Sequence, residues 1–126
     1  EEAISLGRAA LELRPPGHVD RDFALYNLAE LLMSRYVREG KTIFLDDAIT
    51  LGRAGLELRP PGHPHQAPLL LNLSTYLRAR FRLEGKVTDL EDAITFCKGA
   101  LELCPPSHPD RPPILFGFAS ILDDRF

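Results

Sequence analysis

Leu11-Glu12-Leu13-Arg14-Pro15-Pro16-Gly17-His18 occurs three times in this chain, and no other feature restricts the fold as much. It returns as Leu56-Glu57-Leu58-Arg59-Pro60-Pro61-Gly62-His63 and as Leu101-Glu102-Leu103-Cys104-Pro105-Pro106-Ser107-His108. The first prolines stand at 15, 60 and 105, a fixed 45-residue period. A period in that range marks an array of stacked structural repeats. Each copy also carries a local instruction. An apolar helical end runs into two prolines, which lack the N–H a helix interior needs and push the preceding residue out of the helical region. Each octet is therefore a helix stop followed by a stiff corner.

Between the corners the apolar residues recur at helical spacing. Ala3, Ile4, Leu6, Ala10, Leu11 and Leu13 predict a first helix over residues 1–14, with Glu1 and Glu2 at its positive end. Asp20 is the expected N-cap of a second helix over 21–38, apolar on more than one side through Phe23, Leu25, Leu28, Leu31, Leu32 and Tyr36. Gly40 sits just past its end, where a left-handed residue commonly closes a helix. A third helix, roughly 45–58, repeats the first. The cycle restarts with a fourth over 66–83, closed by Gly85, and a fifth over 89–103, for which Thr88 and Glu91 suggest a capping box. A sixth runs from about 111, its Pro112 and Pro113 tolerated in a first turn. The expected class is all-α: six helices in antiparallel pairs.

The chain has 126 residues, 44% of them apolar, enough for one repeat domain over 1–126 with a continuous core. A net charge of -3 argues against a nucleic-acid surface, and no apolar run approaches the ~18–20 residues of a membrane span. Both termini fall inside a repeat, so a piece of a longer array is expected. Cys97 and Cys104 are seven apart on one predicted helix, a rise of about 10.5 Å, beyond the reach of a disulfide. They read as free thiols of a cytoplasmic protein.

Small residues at fixed offsets bring a family into view. Ala29, Ala48, Gly55 and Pro60 in one unit, and Ser74, Ala93, Ala100 and Pro105 in the next, resemble the pattern of tetratricopeptide (TPR) repeats. There, small side chains let neighbouring helices approach closely and a proline ends the pair. The chain looks most like long-repeat TPR arrays with PPGHPDR-type corners, found in fungal proteins and similar to kinesin-light-chain-type repeats. The unit is longer than the usual one, with the excess between Leu32 and Ala48. The resemblance implies an α-solenoid with a right-handed superhelical course. Its concave groove, lined by the first helix of each pair, would hold a peptide or a partner domain. It places Phe23, Tyr26, Asn27, Glu30 and Ser34 in that groove, then Pro68, Leu71, Asn72, Thr75 and Arg78, then Pro113, Phe116, Gly117, Ser120 and Asp124. An Asn amide both donates and accepts, which suits a peptide unit. Asn27 and Asn72 are therefore either ligand contacts or bonds to a neighbouring helix.

Other signals read as structural. Gly40-Lys41-Thr42 resembles the tail of a phosphate-binding loop, but position 35 is Arg where that motif needs Gly, and no strand precedes it. His18, His63 and His108 recur with the corner, at separations too large for one metal, and read as hydrogen-bonded corner residues; His65 adds a fourth. Arg8, Arg53 and Lys98, each four residues before a Glu, suggest solvated ion pairs along the helices. No nucleophile–base–orienter set emerges, so neither enzyme activity nor a cofactor is expected. The leading function is a protein-interaction scaffold. The alternatives are a head-to-tail homo-oligomer through exposed terminal helices, or a regulatory arm of a larger NTPase or CHAT-protease protein. Neither nucleic acid nor membrane is an expected partner.

Overall fold

A computed structural model describes residues 2–13, 21–58, 66–104, 106–107, 109 and 111–125. They form six α-helices: α1 (Glu2–Glu12), α2 (Arg21–Glu39), α3 (Thr42–Glu57), α4 (Gln66–Glu84), α5 (Val87–Leu103) and α6 (Arg111–Arg125). There is no strand among the described residues. Most of the first two repeated corners, Pro105 of the third, Asp20 and the four histidines lie outside them.

The long helices α2 and α4 end where the glycines predicted. Gly40 and Gly85 have φ of 72° and 71°, and their N–H groups donate to the carbonyls of Tyr36 and Phe81, both at 2.7 Å. A left-handed residue closes the last turn at no Cβ cost when it is glycine. Gly40 is thus a helix stop, and the likeness to a phosphate loop ends there. Lys41 and Lys86 follow in extended conformation, and the next helix starts at once. That early start overturns the capping box expected at Thr88 and Glu91. Lys86 is the N-cap and makes no side-chain cap bond, and Thr88 lies within the first turn instead of ahead of it. The short corner likewise begins α3 at Thr42, not near Leu45.

By their contacts the helices divide into two units, Glu1–Leu58 and Arg59–Phe126. In the first, α2 packs against both α1 and α3. Leu25, Leu28, Ala29 and Leu32 of α2 are buried, as are Leu45, Ala48, Ile49, Gly52 and Gly55 of α3. The apolar stripe of α1 is only partly used: Ile4 is buried, whereas Ala3, Leu6 and Leu13 are exposed. In the second unit, α5 packs against both α4 and α6. Leu70, Leu73, Ser74 and Leu77 of α4 and Leu90, Ala93, Ile94, Cys97 and Ala100 of α5 are buried. Each buried Leu contributes roughly 1.5–3 kcal/mol relative to exposure.

The α4–α5 crossing has a polar lock. The Ser74 hydroxyl donates to the Ala93 carbonyl at 2.8 Å, both groups buried. Beside it, Cys97 stands where three helices meet. Its thiol lies near Ser74 of α4, and its Sγ is 3.8 Å from the Ile114 carbonyl of α6. The 45-residue mates of Cys97 are Gly52 and Gly7. A Cβ on Gly7 would lie 2.9 Å from Leu28 Cδ1, so the Leu28 side chain of α2 packs directly on the α1 backbone there. Cys97 and Cys104 are both buried free thiols. No helix among the described residues is long and apolar enough to cross a membrane.

Candidate protein-binding face

The predicted groove residues sit on the first helices of the pairs, α2, α4 and α6, and their surroundings differ. Phe23 is 59% exposed and Phe116 is 77% exposed. Asn27, Glu30, Ser34, Thr75, Pro68 and Pro113 are also exposed, while Tyr26, Leu71, Asn72, Arg78, Gly117, Ser120 and Asp124 are half-buried. The hydroxyls of Thr75 and Ser120 each donate one turn back along their own helix, to the carbonyls of Leu71 and Phe116 at 3.1 Å. Such back-bonding satisfies the hydroxyl locally.

Two groups of these residues are brought together. Arg78 of α4 reaches α6, where its Nε donates to Asp124 Oδ2 at 2.6 Å and its guanidinium also bonds the Ser120 carbonyl at 3.3 Å. Arg82 forks onto the same carboxylate at 3.1 and 3.0 Å. The bonds from Arg78 and Arg82 hold the Asp124 carboxyl well below the usual carboxylate range, and Asp124 in turn raises the Arg82 guanidinium. Arg78 is therefore engaged in joining α4 to α6. It is also one residue out of register, since Ala79 is the 45-residue mate of Ser34.

The second group lies in an open apolar cleft of about 520 Å³ between α1 and α2. Ala3, Leu6, Gly7 and Ala10 form one wall, and Phe23, Ala24, Asn27 and Leu31 the other.

Other contacts were not foreseen from the sequence. Arg21 and Arg111, which open α2 and α6, donate back to the carbonyls of Leu11 (3.4 Å) and Leu101 (3.0 Å), and Arg111 also to Cys104 (2.8 Å). These carbonyls lie at or just past the end of the preceding helix, where the i+4 donor is missing, and that of Leu101 also accepts from the Cys104 N–H at 3.2 Å. The signal was present as a donor (Arg21, Gln66, Arg111) at one repeat position. Arg8, read as a partner for Glu12, instead lies 3.7 Å from Asp47 on α3. Arg80 holds the buried Asp89 through two bonds of 2.9 Å. Chemically the described residues offer apolar and amide contacts. Burial pushes the Cys97 thiol up, against a smaller opposing effect of Ser74, and no group of three His, Cys, Asp or Glu is placed to hold a metal among them.

Residues 69–110 match the family model of the tetratricopeptide repeat. That stretch is a tetratricopeptide-type repeat. Within it, the small residues Ser74, Ala93 and Ala100 are all buried, and in the other long pair the mates Ala29, Ala48 and Gly55 are buried too. The tetratricopeptide repeat explains the all-helical pairing, and its family consists in general of protein-interaction scaffolds without catalysis of their own. No curated protein matches the chain.

Proposed function

We propose that this chain binds a peptide or a partner protein domain through exposed residues of its first-type helices, α2 in one unit and α4 and α6 in the other. One observation carries the reading: Phe23 and Phe116, at the groove positions of α2 and α6, expose most of their rings. Exposed aromatics beside polar groups are the usual anchors of a protein contact, because they bring large rigid area at low entropic cost. Asn27 and Asn72 supply amides that pair with an extended backbone. Such a role suits the cytosol, where Cys97 and Cys104 stay reduced.

The test is a selection of binding peptides from a random library, followed by fluorescence anisotropy on the best of them. The double variant Asn27→Ala with Asn72→Ala is expected to weaken binding ~10-fold or more, the effect of losing two good hydrogen bonds. Unchanged affinity in a variant whose helicity is intact would remove the groove from consideration.

A further inference from the structure

Leu71, Thr75, Arg78 and Arg82 follow one another along one stripe of α4, at steps of four, three and four residues, and Phe116, Ser120 and Asp124 do the same on α6 at steps of four. The positions read as the binding face of the second unit therefore run into the ion cluster further along the same two stripes. Leu71, Asn72, Thr75, Phe116 and Ser120 carry no formal charge, and the Thr75 and Ser120 hydroxyls are bonded within their own helices. The charge of these stripes lies in Arg78, Arg82 and Asp124, where both guanidiniums are turned onto the one carboxylate. The repeat does not ask for it. The 45-residue mates of Arg78 and Arg82 are Met33 and Val37, and that of Asp124 is Ala79.

The cluster has two unlike arms. The Arg78 and Asp124 side chains are 24% and 14% exposed, and Arg78 also bonds the Ser120 carbonyl at 3.3 Å, so this arm grips α6 at two points one turn apart. The Arg82 side chain is 59% exposed. Salt screens an exposed pair and leaves a half-buried one largely intact. One arm therefore holds α6, and the other yields to ionic strength. We propose that Arg78, Arg82 and Asp124 form an adjustable strut: they are positioning residues that hold α6 at the spacing from α4 at which a peptide is gripped, and they make the affinity of even an uncharged peptide depend on ionic strength. A ligand that touches both helices binds only molecules with that spacing, so its apparent affinity scales with their fraction. This inference rests on the reading of α4 and α6 as a binding face and adds the regulation of that face. Neither arginine needs to touch the ligand.

Fluorescence anisotropy with a selected peptide that carries no charge tests it, at about 0.1 M and about 1 M potassium chloride, between which the screening length falls from about 10 Å to about 3 Å. The wild type should bind about 2–5-fold more weakly at the higher salt, the worth of an exposed ion pair. Asp124→Asn should bind weakly at both concentrations, with no salt dependence left. Asp124→Glu keeps the charge and should keep most of the affinity and the salt dependence. The double variant Asn27→Ala with Asn72→Ala should lose affinity and retain the salt dependence. Wild-type affinity that salt leaves unchanged, or a salt dependence that persists in Asp124→Asn, would overturn the strut. A double asparagine variant that binds as wild type would instead fault the groove reading. Amide hydrogen exchange reads the strut with no peptide present: salt should speed exchange in α6 of the wild type and add nothing in Asp124→Asn. An equal response in both chains would overturn the proposal.

Discussion

Arg80 and Asp89 form a two-pronged ion pair, at 2.9 Å on both prongs, across the sharp corner that joins α4 to α5. Their mates are Arg35 and Phe44, and there the guanidinium instead lies 6.0 Å from the ring centroid while Arg35 also pairs with Glu39. One repeat position thus serves two kinds of cation contact. Asp89 is buried, so removing either member strands a charge. Asp89→Ala is expected to cost about 3 kcal/mol in urea denaturation. The double variant with Arg80→Ala should cost less than the sum of the two single losses.

Asp124 ties α4 to α6 through Arg78 and Arg82, and its lowered pKa sets the sign of a pH effect. A carboxylate that folding makes more acidic contributes stability above its unfolded pKa of about 4, and that contribution fades as pH falls towards the folded value. Asp124→Asn should therefore lower stability at pH 7 by about 1 kcal/mol, a figure reduced for exposure to solvent. As pH falls below ~4 the difference between the variant and the wild type should shrink, closing only near the low folded pKa. Thermal melts at several pH values read this directly.

Ala93 has no exposed surface and lies beneath Ser74. Ala93→Leu should force α4 and α5 apart at a cost of roughly 1–3 kcal/mol or more. Ser74→Ala should cost about 1 kcal/mol for the lost hydrogen bond, with no steric penalty, because Ala29 fills the same place in the other pair. Guanidinium titrations separate the two effects.

Gly40 and Gly85 meet nothing within 4 Å of a Cβ, so only their positive φ limits substitution. Gly85→Ala should lose about 1 kcal/mol, and Gly85→Asn less, since Asn visits the left-handed region more readily. A larger loss would point to a contact beyond the backbone.

The two thiols supply a probe of opening. Cys97 is buried and its thiol is pushed up in pKa, and Cys104 is buried at the end of α5. Both should resist a disulfide reagent at neutral pH in the native state and react promptly in denaturant.

Much of this was legible because small residues and glycines leave few alternatives. Ser74, Ala93 and Ala100 fit only where helices touch, and Gly40 and Gly85 fit only where a helix turns left-handed. What the pattern could not show was whether a neighbour covers a given apolar face. Leu6 and Leu13 keep helical spacing yet remain exposed, because periodicity defines a face and not its occupant. Nor did the repeat carry Arg80–Asp89, whose pairing depends on where two helix ends converge and is replaced by a ring at Phe44. The groove residues were read by offset alone, and Arg78 stands one residue before Ala79, the 45-residue mate of Ser34.

The corners at Gly40–Lys41 and Gly85–Lys86 also bear on how the chain reaches this state. Each joins a long helix to a packing partner with almost no intervening chain, so α2–α3 and α4–α5 contacts, in helices that bury Leu32, Leu45, Leu77 and Leu90, can form across few residues. Loop-closure entropy is small at such separations, and chains rich in local contacts fold quickly. The α2–α3 and α4–α5 hairpins are then the natural nuclei. Mutations at their crossings should slow folding, whereas those on α1 and α6 should mainly speed unfolding.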